Sequence, residues 1–310
     1  FIVVGGCEQF PVRSRHMKQI LLVIALVALV GCGKKTTPAE PETNAEPEPE
    51  AKIPTNAFVN TLGMPFVPVP GTDVQFCIWE TRVKDYTAYA AANSGVDASW
   101  KNPSVLGINI AQKETHPVVN VSWNDANAFC TWLTRKERAE GKITASQRYR
   151  LPTDAEWSVA VGLGRATGNL PENKDMGVGV YPWGTQWPPP TGAGNYADTA
   201  CKLEFGTKYK AKIGGGLPVI EGYTDGFTYT SPVGSFAANK FGLHDLGGNV
   251  WEWCEDWHDP ASQINRVVRG ASWLGNGPGN LLSSYRPRYA PDDRDMIIGF
   301  RCVLVGGSGG

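Results

Sequence analysis

Four short blocks rich in Trp and Gly follow one another along this 310-residue chain. They are Leu151-Pro-Thr-Asp-Ala-Glu-Trp157, Gly247-Gly-Asn-Val-Trp-Glu-Trp253, Arg269-Gly-Ala-Ser-Trp273 and Gly299-Phe-Arg-Cys302. Glycine opens backbone conformations closed to other residues, and a buried indole pins the irregular chain around it. With 36 Gly and 11 Trp in total, the chain suits a domain of irregular loops held by aromatic anchors, not a helical bundle. No repeat of about 20–50 residues is visible, which sets aside solenoids and propellers. A hydrophobic content of 42% supports a full core in one large domain with appendages. The net charge of -1, with no basic stripe, excludes nucleic acid as an expected partner.

The appendages lie at the ends. Met17-Lys18 followed by the apolar run Ile20 to Val30 has the make-up of a signal-peptide core and is too short to span a bilayer. The run ends in Leu29-Val-Gly-Cys32, a lipobox pattern with Cys32 as the lipidated residue. Residues 1–16 read as upstream read-through, 17–31 as the lipoprotein signal peptide and 32–54 as a Pro/Glu-rich tether. Residues 55–305 form the folded domain and 306–310 a flexible tail. The expected setting is an exported bacterial lipoprotein of the cell envelope, touching the membrane through its lipid alone. Gly33 in place of a retaining Asp favours the outer membrane.

Inside the domain, Gly63 to Val69 and Val74 to Trp79 read as opening strands. Val83, Tyr86 and Ala90 form a helical stripe closed at Asn93-Ser-Gly95. Ser122 with Asp125, and Thr153 with Glu156, read as capping boxes that start two more helices. The apolar face of the first holds Ala126, Phe129, Cys130 and Leu133. Beyond Gly164 periodicity fades into long loops, which suits loops clamped by a metal. Val267-Val268 and Gly299 to Leu304 read as closing strands. Setting Cys7 and Cys32 aside leaves five cysteines with no CxxC, read as buried free thiols, with a single disulfide in an exported protein as the alternative.

With Gly63-Met-Pro-Phe-Val-Pro-Val69, His116-Pro-Val-Val-Asn-Val-Ser-Trp123 and Gly242-Leu-His-Asp-Leu added to them, the four blocks resemble the formylglycine-generating enzyme family, also called sulfatase-modifying factors. The likeness runs from about Asn60 to Leu304. It implies an α+β domain, the formylglycine-generating type of the C-type-lectin-like fold, with little regular secondary structure. It also implies Ca2+ held by loop oxygens, which suits an ion that takes six to eight oxygen ligands. One set would be Asn195, the Tyr196 carbonyl, Asp225 and the Phe227 carbonyl. The other would be Asp245, the carbonyls of Gly248 and Val250, and Glu252, with Glu80 a further acidic ligand. Asp245 departs from the family's commoner amide there, and a carboxylate serves calcium equally well.

The resemblance breaks at the reaction centre. The oxygen-using members of the family bind Cu(I) between two cysteines, and an ungapped reading puts Ser284 and Tyr289 at those positions. Neither a hydroxyl nor a phenol is a Cu(I) ligand, so copper is not expected. The four histidines are scattered, and His258 with Asp256 and Asp259 is a weak hard-metal candidate. No GxSxG, phosphate loop, HExxH or Rossmann fingerprint is present. The expected function is a lipid-anchored, calcium-stabilised module that binds an unidentified ligand or protein. Its recognition surface would lie within Leu274 to Ile298 and carry Tyr285, Arg286, Arg288 and Tyr289, with Trp273 beside it. One alternative is a divergent oxidase or oxygenase acting on a protein or small thiol. Another is the variable ligand-binding protein of a diversity-generating retroelement.

Overall fold

The computed structural model describes residues 52–164 and 179–306. The chain divides into Phe1–Glu46 and Pro47–Gly310, and every described residue belongs to the second unit. The signal-peptide segment, Cys32 and the final four residues lie outside the described residues. No described helix is long and apolar enough to cross a membrane.

The elements alternate in type. Strands β1 Phe58–Val59, β2 Pro65–Pro68 and β3 Val74–Cys77 precede helix α1 Val83–Ala92. The short pair β4 Ser104–Val105 and β5 Ile108–Asn109 leads to α2 Trp123–Ala139, β6 Arg148–Arg150 and α3 Asp154–Ala160. Then come α4 Thr199–Cys201, a π-helical turn Lys202–Gly206 and α5 Thr207–Ile213. The chain closes with β7 Trp251–Trp257, β8 Arg266–Arg269, β9 Arg288–Tyr289, β10 Ile298–Gly299 and β11 Val303–Val305. One antiparallel sheet has the order β1-β2-β3-β11-β6, so the C-terminal strand lies between two early ones. A second sheet runs β10-β7-β8-β9, and β10 lies parallel to β7. The mixture of helices and small sheets, with long stretches of irregular chain, is the expected α+β architecture.

Both capping boxes form. The Ser122 hydroxyl accepts from the Asp125 amide at 3.1 Å, and the Asp125 carboxylate accepts from the Ser122 amide at 2.9 Å. Thr153 and Glu156 do the same for α3 at 3.2 and 2.8 Å. Each reciprocal pair satisfies two amides that helix geometry leaves open. In α1 the buried residues are Asp85, Tyr86 and Tyr89, so its inner face is more aromatic than the Val83–Tyr86–Ala90 stripe implied. Two further expectations are corrected. Residues 199–213 are helical where only loops were foreseen, and the Trp-Glu-Trp of the second block opens a seven-residue strand instead of lying in a loop.

The core explains the Trp-rich blocks. Trp157, Trp253 and Trp273 are fully buried. Trp253 donates through Nε1 to the Val121 carbonyl at 3.0 Å, and Trp123 donates to the Cys254 carbonyl at 3.0 Å. Their ring area joins the core while each polar nitrogen keeps a partner. A smaller cluster of Ile108, Cys201, Phe205, Tyr229, Trp273 and Met296 packs under the 199–213 helix. All five described cysteines are buried and free.

Candidate functional site

Two buried polar clusters meet at Asn249, in the turn before β7. Gly248 and Asn249 both have positive φ, +90° and +59°. A Cβ on Gly248 would lie 2.4 Å from the Asn195 carbonyl oxygen, so this approach of two backbones requires glycine. Asn249 is fully buried. Its Oδ1 accepts from the Ser231 amide at 2.9 Å and from Asn195 Nδ2 at 3.3 Å. Its Nδ2 donates to Glu80 Oε1 at 3.3 Å and to the Ser231 carbonyl at 3.4 Å. One amide side chain therefore joins the two clusters, a role that residue types alone did not assign to it.

The first cluster gathers Asn195, Tyr196, Asp198, Asp225 and Phe227. Asn195 Nδ2 donates to the Tyr229 carbonyl at 2.8 Å, which fixes the amide and leaves Oδ1 buried without a partner. Asp225 accepts from the Tyr196 amide at 2.8 Å and the Phe227 amide at 2.9 Å. Burial pushes its carboxyl up to about 7; the two amide bonds oppose that rise and the nearby Asp198 adds to it. No Lys or Arg pairs with Asp198 or Asp225 among the described residues. The loops therefore present oxygens and net negative charge.

The second cluster gathers Glu80, Asp245, Glu252 and Arg301. Glu80, Glu252 and Arg301 are fully buried. Arg301 grips Glu252 with a two-pronged ion pair, Nη2 to Oε1 at 2.6 Å and Nε to Oε2 at 2.7 Å. Trp157 Nε1 adds a third bond to Glu252 at 3.1 Å. Arg301 also donates to the His244 carbonyl at 2.9 Å. Glu80 Oε2 and Asp245 Oδ1 are buried without partners. Burial raises both carboxyls; the field of Asp245 raises Glu80 further, and the Gly234 amide bond restrains Asp245.

The clusters differ from a ready-made metal cage. No group of three or more His, Cys, Asp or Glu side chains among the described residues is disposed to hold a metal ion. That sets aside His258 with Asp256 and Asp259. Any ion at the two clusters would draw on amide and main-chain oxygens as well as carboxylates.

The recognition segment is more buried than its composition implied. Trp273 is fully buried, edge-on to Phe205 and Tyr229, and belongs to the core, not to the surface. Arg286 is buried too: its Nε pairs with Asp154 Oδ2 at 2.5 Å and its Nη1 donates to the His258 carbonyl at 2.9 Å. Arg269 meets the other Asp154 oxygen and holds the Ser283 and Tyr285 carbonyls at 2.6 and 3.1 Å. Residues 283–286 are thus bolted to α3. Tyr285 and Tyr289 are half-buried, with rings 5.9 Å from Trp251 and 6.3 Å from Trp253, while Arg288 is exposed. Ser284 is buried, and burial pushes the Tyr289 phenol up to about 12. Burial also pushes the Cys201 thiol up to about 12 and raises those of Cys77, Cys254 and Cys302. Cys130 and Cys302 face each other with sulfurs 3.4 Å apart.

This arrangement of small sheets, Trp anchors and polar loop clusters accompanies a match to the sulfatase-modifying factor enzyme 1-like domain over residues 29–305, and the chain belongs to that family. It is 35% identical over 231 residues to a formylglycine-generating enzyme of Thermomonospora curvata, covering 66% of this chain and 61% of that one. It is also 35% identical over 217 residues to the inactive C-alpha-formylglycine-generating enzyme 2 of Mus musculus, covering 68% and 56%. The chain thus spans about three fifths of the length of these curated relatives. Among solved structures, PvdO from Pseudomonas aeruginosa aligns with a TM-score of 0.51 at 22% identity, over 82% of this chain and all of that one. That likeness concerns the fold.

Proposed function

We propose that this chain is a calcium-stabilised binding module of the sulfatase-modifying factor family, tethered to the cell envelope through a lipid on Cys32, and not a formylglycine-generating oxidase. The observation that carries the calcium reading is the first cluster. There, among the described residues, a buried Asn195 Oδ1 has no partner and the Asp225 carboxylate has no basic neighbour. Asn195, the Tyr196 carbonyl, Asp225 and the Phe227 carbonyl would hold the ion, whose charge would neutralise the loop. At the second cluster the free oxygens of Asp245 and Glu80, with the Gly248 and Val250 carbonyls, offer a weaker site. Both oxygens of Glu252 already serve Arg301.

One observation supports binding over oxidation. Every described cysteine is buried, whereas copper-dependent thiol chemistry needs thiolates open to substrate. Identity does not favour activity either, since an enzyme and a relative named as inactive are both 35% identical to this chain. Calcium titration of the EDTA-stripped protein by calorimetry tests the first part, with saturable binding expected. Copper loading followed by assay on a thiol peptide tests the second. Retained Cu(I) with turnover would overturn the binding reading.

A further inference from the structure

Asp198 was not among the ligands implied by the family resemblance, yet it is fully buried within the first cluster. Its Oδ1 accepts from the Cys201 amide at 2.8 Å, capping the helical stretch that begins at Thr199. Its Oδ2 turns the other way and accepts three times from the Asp225 loop. The donors are the Asp225 amide at 2.9 Å, the Thr224 hydroxyl at 3.0 Å and the Gly226 amide at 3.3 Å. A helix cap needs one of these bonds; the other three shape the loop that presents Asp225. Two carboxylates, Asp198 and Asp225, are therefore neighbours with no basic partner among the described residues. A partnerless Asn195 Oδ1, fixed by the bond from its Nδ2 to the Tyr229 carbonyl, lies in the same cluster.

We infer that Asp198 is the positioning residue of the Asn195–Asp225 site and that its charge makes the site select divalent over monovalent cations. The inference rests on the calcium reading above. Of the four groups that would touch the ion, only Asp225 carries charge, which alone would match a monovalent ion. Asp198 doubles the negative charge without touching the ion and holds Asp225 in place through the 224–226 turn. A residue that orients a metal ligand in this way commonly changes affinity about 10–100-fold when replaced.

The test compares wild type with Asp198→Asn, which removes the charge and keeps an oxygen acceptor for the cap. Calcium affinity is measured by calorimetry at low and high NaCl, and thermal unfolding is followed in EGTA. The expected result is calcium binding weakened about 10–100-fold, with sodium competing more effectively than in wild type. An affinity within twofold of wild type and unchanged sodium competition would overturn the inference and leave Asp198 a helix cap. Should Asp198→Asn not fold, Thr224→Val decides. It removes a single bond at an exposed residue and is expected to weaken calcium binding severalfold, and an unchanged affinity would overturn the inference. Failure of the calcium reading is separate: wild type itself would then not bind calcium.

Discussion

The clusters on either side of Asn249 take their positive charge from different places. Around Glu252 the chain supplies its own cation, Arg301, in a fully buried two-pronged pair reinforced by Trp157. Around Asp225 it supplies none among the described residues; Asp198 accepts from the Asp225 amide, and the neighbouring Asn195 Oδ1 has no partner. The first arrangement sits on a strand, β7, which is hydrogen-bonded to β8 and β10. The second is spread over loops between residues 195 and 227 with no strand of their own. A built-in cation suits a part of the fold that must hold in all conditions. On the proposed reading, an absent one leaves the loops to be ordered by the ion that binds there.

The comparison is open to tests of decreasing size. Arg301→Met leaves Glu252 as an uncompensated buried charge and is expected to cost about 3–5 kcal/mol of stability. Urea unfolding should show that loss equally with and without calcium, and a calcium-dependent loss would merge the two regions. Trp273→Ala, in the core and not on a binding face, should cost about 3–5 kcal/mol. Asp225→Asn should abolish the stabilisation by calcium; in EGTA the removal of a half-buried unpaired charge is set against the loss of an acceptor for either the Tyr196 or the Phe227 amide. Undiminished stabilisation of Asp225→Asn by calcium would contradict the placing of the ion at this cluster.

A smaller effect concerns pH. The Asp225 carboxyl is held near 7 in the folded, calcium-free protein, against an ordinary value of 3.8. Between those values the folded state binds the proton more tightly, so stability is highest at low pH and falls as pH rises towards 7. The contribution is bounded by about 1.4 kcal/mol per pH unit. Calcium bound at the proposed site would displace that proton, so its affinity should rise with pH over the same window. Unfolding series at pH 5, 6 and 7 in EGTA, with Asp225→Asn as the flat control, measure the slope.

Local rules in the sequence reached far into this fold. Ser122–Asp125 and Thr153–Glu156 announced two helices because a capping box is complete within four residues. The Trp blocks announced the core, and the family resemblance brought Asn195 and Asp225 into one account. The helix through 199–213 escaped because its second half, Thr207–Ile213, buries no residue and shows no apolar face to read. Arg301 with Glu252, and Asp154 with Arg269 and Arg286, escaped for another reason. These pairs join residues 49 to 132 positions apart, and a charged residue in isolation reads as surface. Their burial turned part of the supposed recognition surface into its mounting.

The most direct test of the contrast is hydrogen exchange on the intact protein, in calcium and in EGTA, resolved by segment. Removing calcium is expected to raise exchange at least about tenfold across residues 195–227 while residues 251–257 in β7 keep their protection. Equal exchange in both conditions at 195–227, or a parallel loss at 251–257, would contradict the account.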